Sequence, residues 1–70
     1  MEYTKIFADY ITKMKYTDIK YNIEEKNGKF IARLYIPNTN IIGIGKPEEN
    51  EYISNEKLCN YLVNKFIFKN

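Results

Sequence analysis

The chain has 70 residues, enough for one domain with a small core, because a domain of this length buries only about 60% of the surface that its unfolded chain exposes. It carries 11 Lys or Arg, 9 Asp or Glu and no His, which gives a net charge of +2 and excludes histidine-based catalysis and histidine metal sites. The single Cys excludes an intramolecular disulfide, so seven Tyr and four Phe must supply much of the apolar packing. We expect one domain that spans residues 1–70.

The start of the chain and its apolar content predict a cytoplasmic protein without a membrane partner. Residues 1–4 lack the basic start of a signal peptide, and no apolar stretch approaches the roughly 20 residues that a membrane helix requires. Cys59 follows Leu58 and precedes Leu62 by three residues, which is typical of a small buried core residue in a reducing compartment.

Residues 3–15 are predicted to form an amphipathic helix. Apolar side chains recur there at spacings of three and four residues, as on one face of a helix. These apolar residues are Tyr3, Ile6, Phe7, Tyr10, Ile11 and Met14. The opposite, solvated side carries Thr4, Lys5, Asp9, Thr12 and Lys13.

Three strands are predicted to follow. Residues 17–25 alternate between apolar and polar side chains, with Ile19, Tyr21 and Ile23 on the half-buried side. The segment 26–29 contains Asn-Gly, which accepts the positive φ angles of a type I′ hairpin turn. The second strand is predicted from Phe30 to Ile36, with Phe30, Ala32, Leu34 and Ile36 towards the core and Ile31, Arg33 and Tyr35 outward. After a turn at 37–40, Ile41 to Ile44 form a short third strand.

The last predicted element is a second amphipathic helix after a polar loop at 46–51. Ser54 is the predicted N-cap, and Glu56 falls in the first turn, where the helix dipole favours an anion. The apolar stripe of this helix consists of Leu58, Cys59, Leu62, Val63 and Phe66. The order of elements predicts an α+β fold, α-β-β-β-α, in which two helices pack on one face of a three-stranded antiparallel sheet.

The order and spacing of these segments resemble the double-stranded RNA-binding domain family over roughly residues 4–66. Residues 6–10 are similar to the family's first-helix signature, residues 21–23 and 30–34 to its first two strands, and residues 58–62 to the stripe of its last helix. Gly43-Ile44-Gly45 falls where the family has Gly-x-Gly. In the family, the first helix, the first hairpin loop and the start of the last helix contact A-form RNA through 2′-hydroxyls and phosphates.

The resemblance therefore implies a set of RNA-binding residues in these three segments. They are Thr4, Lys5, Asp9, Lys13, Lys26, Lys29, Lys46 and Lys57. The chain departs from the family in two segments. Its first hairpin has the tight 27–28 turn in place of the family's Gly-Pro-x-His. At the start of the last helix, the three lysine positions of the family's Lys-Lys-x-Ala-Lys motif fall on Glu48, Glu49 and Tyr52. If a three-residue insertion is assumed, they fall on Glu51, Tyr52 and Asn55. Acids repel phosphates, so we expect weak, salt-sensitive binding.

Two functions follow from the sequence as alternatives. The first is a small double-stranded RNA-binding protein, of a viral or regulatory kind, that sequesters RNA through its shape and phosphate charge. The second is a protein-interaction or dimerisation module of the same fold, which uses the outward Ile31, Tyr35 and Tyr52 and either the bare strand edge at 41–44 or the last helix.

The sequence predicts no enzyme, cofactor or metal site. Glu48, Glu49 and Glu51 are typical of a solvated loop rather than of a cation site. The Gly-x-Gly pair lacks the third glycine of a nucleotide-binding loop.

Overall fold

The structure, a computed structural model, describes residues 2–69 and has the predicted element order. The elements are α1 (Tyr3–Met14), β1 (Lys20–Lys26), β2 (Lys29–Tyr35), β3 (Ile42–Ile44) and α2 (Glu51–Leu62), which continues as a π-helical extension over Val63–Phe68. The α-β-β-β-α prediction is therefore confirmed. No helix within residues 2–69 combines the length and the apolar character that crossing a bilayer requires.

The three strands form one antiparallel sheet in the order β1-β2-β3. Asn27 and Gly28 have φ angles of 54° and 77°, which confirms the predicted type I′ turn between β1 and β2. β1 begins at Lys20, three residues later than the predicted boundary at 17, and β3 lacks Ile41. A bulge follows β3: Gly45 still pairs with Ala32, but the next bridge joins Glu48 to Phe30, so one extra residue lies between the two pairs.

Both helices cover one face of the sheet. The residues buried between the layers are Phe7 from α1, Ala32, Leu34, Ile36 and Ile41 from the sheet region, and Leu58, Cys59, Leu62 and Val63 from α2 and its extension. This set confirms the predicted inward side of β2 and the buried thiol. Two predicted apolar positions are wrong: Met14 and Tyr21 are each 47% exposed, because Met14 lies in the last turn of α1 and Tyr21 on an outer strand.

The start of α2 differs from the prediction. The helix begins at Glu51, and its N-cap is Asn50, whose side-chain oxygen accepts a hydrogen bond of 2.9 Å from the Ile53 N–H. Asn is as good an N-cap as Ser, so the earlier cap extends the helix over what the sequence indicated as loop. Ser54 therefore lies inside the first turns of α2 and is only 1% exposed.

Glu56 also has a different partner from the one predicted. It lies in the second turn of α2, and its carboxylate accepts hydrogen bonds from the Tyr3 and Thr4 N–H groups at 3.1 Å and 2.8 Å. The N-cap of α1 itself, Glu2, makes no side-chain cap. The first turn of α1 is thus capped by a side chain of α2, and the two helices start at the same end of the molecule.

The burial of Ser54 predicts a stabilising substitution. Its hydroxyl has no hydrogen-bond partner within the described residues, and an unsatisfied buried hydroxyl is unfavourable. We expect Ser54→Ala to raise the free energy of unfolding by about 1 kcal/mol, since Ala also has the higher helix propensity. Urea denaturation monitored by circular dichroism measures this change, and a loss of stability in the variant would contradict it.

Candidate functional site

The β1–β2 turn, the start of α1 and the start of α2 lie at one end of the molecule. The β1–β2 turn is joined to the segment before α2 by paired hydrogen bonds between the backbones of Phe30 and Glu48, at 2.8 Å and 2.9 Å. The start of α1 is joined to α2 through Glu56. The fold therefore brings parts of the three predicted segments together, whereas Lys13, in the last turn of α1, lies at the other end.

Acidic side chains occupy much of this end. We call the group formed by Glu48, Glu49, Glu51 and Glu56, at the start of α2, the acidic end. Glu49 pairs with Lys29, and the hydrogen bond and the charge of Lys29 lower the pKa of Glu49 from its ordinary value. Glu48 pairs with Lys57 at 3.4 Å.

Three of the eight predicted RNA contacts are therefore already engaged by acids. They are Lys29, Lys57 and Thr4, whose hydroxyl donates to Glu56 at 2.8 Å. The other five, Lys5, Asp9, Lys13, Lys26 and Lys46, are exposed. Lys5 and Lys13 flank Asp9 on the solvated side of α1 at spacings of four residues, so the carboxylate lowers the positive potential between them.

The opposite end of the molecule is positively charged. A shallow cavity of about 260 Å³ is lined there by Tyr10, Tyr16, Thr39, Asn40, Ile41, Lys65, Phe66 and Lys69, and no carboxylate of residues 2–69 lines it. Lys13 and Lys15 lie in the turn of α1 that leads into Tyr16. We call Lys13, Lys15, Lys65 and Lys69 the basic end.

Three of these four lysines were not among the predicted contacts. Lys15 is far in sequence from Lys65 and Lys69, and all three lie at the same end of the molecule because both helices run from the acidic end to the basic end. The predicted order of elements could have indicated this grouping, since it required the two helices to lie side by side on one face of the sheet. Part of their charge stabilises the helix C-termini, where the dipole favours cations.

A second surface surrounds β3. Tyr35, Ile42 and Ile44 lie on the face of the sheet away from the helices and are 42%, 53% and 66% exposed. Tyr61 of α2, 47% exposed, lines a groove with β3. We call these four residues the β3 patch. Of the three predicted outward anchors, Tyr35 belongs to it, Ile31 is half-buried on the same face, and the exposed Tyr52 lies at the acidic end.

The single thiol and the metal-ligating residue types have simple environments in the described residues. Burial, with the nearby Glu56 carboxylate, raises the pKa of the Cys59 thiol to about 11, so little thiolate forms at neutral pH. Within residues 2–69, no group of three or more His, Cys, Asp or Glu is placed to hold a metal ion.

The fold and the residues quoted above are the basis for any likeness to RNA-binding domains, because no family model, curated protein or solved structure matches the chain.

Proposed function

We propose that the chain is a small double-stranded RNA-binding protein that contacts duplex RNA mainly through phosphates. The observation that carries the proposal is the separation of charge: Lys65 and Lys69 line a cavity that no described carboxylate lines, and Lys13 and Lys15 lie at the end of α1, just before Tyr16 of the same cavity. The choice of duplex RNA rests on the resemblance of the ordered segments to double-stranded RNA-binding domains. A-form RNA suits such a module because its phosphates and 2′-hydroxyls are read by shape.

The charge distribution indicates which residues make the contacts. A lysine that already pairs with a carboxylate, such as Lys29 or Lys57, gains little from a phosphate, because the acid must first be displaced or remain nearby as a repelling charge. Within residues 2–69, none of the four lysines of the basic end forms a salt bridge, and Asp9 lies one turn before Lys13 on α1. We therefore place the main contacts at Lys13, Lys15, Lys65 and Lys69, with Lys5 extending the surface along α1.

Binding by this surface must depend strongly on salt. Each neutralised phosphate contributes about −0.9 to the slope of log affinity against log salt, so four contacts reduce affinity on the order of 100-fold between roughly 50 and 200 mM salt. This behaviour distinguishes phosphate binding from recognition through bases.

The proposal predicts that charge reversal at the basic end abolishes most of the binding. We expect the double variant Lys13→Glu and Lys65→Glu to bind an RNA duplex at least about 10-fold more weakly at low salt, and to lose about 2 from the salt slope. The matched control reverses two exposed lysines near the acidic end, Lys26→Glu and Lys46→Glu, and should change affinity less than about 3-fold. A gel shift measures both.

Circular dichroism of each variant checks that the fold persists, because reversal at a helix C-terminus also opposes the dipole. A DNA duplex of the same sequence should bind more weakly than the RNA duplex. Absence of any RNA shift at high micromolar protein and low salt would overturn the proposal, and equal losses in the two double variants would overturn the assignment to the basic end.

A further inference from the structure

We propose that two copies of this chain associate through β3, which pairs with itself in an antiparallel manner across a two-fold axis and joins the two sheets into one of six strands. The surface involved is the β3 patch, which meets the basic end where the Lys65 ammonium donates a hydrogen bond of 2.9 Å to the Tyr61 hydroxyl. The pairing is argued from the backbone of β3 and does not rest on RNA binding.

The first argument is that β3 has an unpaired edge. Among the described residues, β3 pairs only with β2. The Ile36 N–H donates to the Ile41 carbonyl at 3.0 Å, and the Gly45 N–H donates to the Ala32 carbonyl at 2.8 Å. Backbone groups alternate in direction along an antiparallel strand, so the N–H and C=O groups of Ile42 and Ile44 point away from β2.

The open edge has the spacing needed to pair with itself. Ile42 of one copy lies opposite Ile44 of the second, and the reverse pair completes a set of four backbone hydrogen bonds with Gly43 at the axis. The bulge after β3 and Pro47, which has no N–H to donate, end the available edge on one side. The edge is thus about three residues long, or about 10 Å.

The side chains on the outer face favour the same arrangement. Ile42 and Ile44 project to the face away from the helices, where Ile42 of each copy would lie beside Ile44 of the other. The pairing forms a row of four isoleucines that are largely exposed in the single chain. Tyr35 of each copy flanks this row, since it is the cross-strand neighbour of Ile42.

The position of α2 also permits the pairing. α2 packs on both β2 and β3, and a Cβ on Gly43 would lie only 2.9 Å from Leu58 Cδ1, so the helix is close beneath β3. Because α2 contacts β2 as well as β3, an α2 axis midway between these strands would place its two copies about 10 Å apart across strands spaced about 4.8 Å, within the usual range of helix packing. Tyr61, which lines a groove with β3, then lies close to its counterpart near the axis.

The paired strands bring no like charges together, because in this register Lys46 lies opposite Asn40. Two further cations lie near the edge: Lys57 is paired with Glu48 at 3.4 Å, and Lys65 donates to the Tyr61 hydroxyl at 2.9 Å. The charge of Lys65 opposes a second copy, and salt screens this repulsion. A short edge with one tyrosine per copy gives an interface at the small end of the specific range, so we expect a dissociation constant on the order of 100 µM.

Sedimentation equilibrium tests the association. The experiment uses the full chain without RNA, at about 0.5 M salt, where attraction between the acidic and basic ends is screened. We expect a monomer–dimer equilibrium, weakened at least about 10-fold by Ile44→Lys, which places a charge on the edge. The control Tyr52→Lys alters a residue of similar exposure, 65%, at the acidic end and should change the constant less than about 2-fold.

Disulfide trapping tests the register. When the Ile42→Cys and Ile44→Cys variants are mixed and oxidised, we expect a disulfide between the two different chains, because opposed residues lie about 5.5 Å apart between Cα atoms. Either variant alone should cross-link poorly, since identical residues lie on a diagonal of about 7–8 Å. A monomer at all concentrations, a dimer unaffected by Ile44→Lys, or cross-linking of a single variant in preference to the mixture would each overturn the proposal.

Discussion

Replacing Glu56 by Ala is expected to lower the free energy of unfolding by about 2 kcal/mol, a large effect for an acid that the sequence places on an ordinary helix surface. The carboxylate accepts hydrogen bonds from the Tyr3 N–H, the Thr4 N–H and the Thr4 hydroxyl, at 3.1, 2.8 and 2.8 Å. Removal leaves the first turn of α1 without a side-chain cap, since Glu2 supplies none. Urea denaturation of the variant and the unchanged chain measures the difference.

Two further variants separate this contact from a general charge effect. Glu51→Ala removes an acid from the first turn of α2, where only the helix dipole is involved, and should cost about 0.5 kcal/mol. Glu56→Gln keeps a hydrogen-bond acceptor but loses the charge, so its loss of unfolding free energy should lie between those of Glu56→Ala and Glu51→Ala. Equal losses for Glu56→Ala and Glu51→Ala would show that the link between the helices contributes nothing.

The pH dependence provides a second measurement on the same contact. Burial acts to raise the pKa of Glu56, but the hydrogen bonds from Thr4 and Tyr3 outweigh it, and the pKa lies below the ordinary value of 4.5. The ionised carboxylate therefore stabilises the fold fully above the pKa of the unfolded chain, and this contribution is lost as the pH falls through the folded-state pKa. The stability difference between the unchanged chain and Glu56→Gln should narrow over that acid range.

Local patterns in the sequence predicted those features that depend on neighbouring residues. The spacing of Ile6, Phe7 and Tyr10 predicts α1, and Asn27-Gly28 predicts the hairpin turn, because helix faces and tight turns are determined within a few residues. The prediction of Ser54 as the N-cap was wrong, because Asn50 caps a helix equally well and begins α2 four residues earlier. The buried environment of Ser54 selects Asn50.

Contacts between distant segments were beyond such patterns. The hydrogen bond from Thr4 to Glu56 spans 52 residues, and the convergence of Tyr16 with Lys65 depends on how the helices pack. The same holds for charge: the acids at the start of α2 were visible in the sequence, but their pairing with Lys29 and Lys57 became apparent only in three dimensions. For this reason the sequence indicated a site at the start of the helices, whereas the charges in the structure favour a site at their other end.

Gly43→Val is the second substitution for which we expect a large effect, a loss of about 2–3 kcal/mol in the free energy of unfolding. A Cβ at this position would lie 2.9 Å from Leu58 Cδ1 and 3.0 Å from Leu62 Cδ2. Both leucines are at most 2% exposed and belong to the core, so they have little room to move. Gly43→Ala adds a single carbon against the flexible ends of two side chains and should cost about 1 kcal/mol. Thermal or urea denaturation measures the series.

A double-mutant cycle with Leu58→Ala distinguishes steric overlap from other effects of replacing a strand glycine. Leu58→Ala alone should cost about 2–5 kcal/mol through lost packing, because Leu58 is 2% exposed. In the Gly43→Val background the same truncation removes the overlap as well, so its cost should fall by about 1–2 kcal/mol. If Gly43→Val proves too unstable to measure, the cycle with Gly43→Ala should give an interaction free energy of the same sign and smaller magnitude. Additive effects would mean that β3 and α2 are not in the close contact that Gly43 permits. The helix α2 would then lie too far from the β3 edge for the two copies of α2 to meet in the proposed dimer.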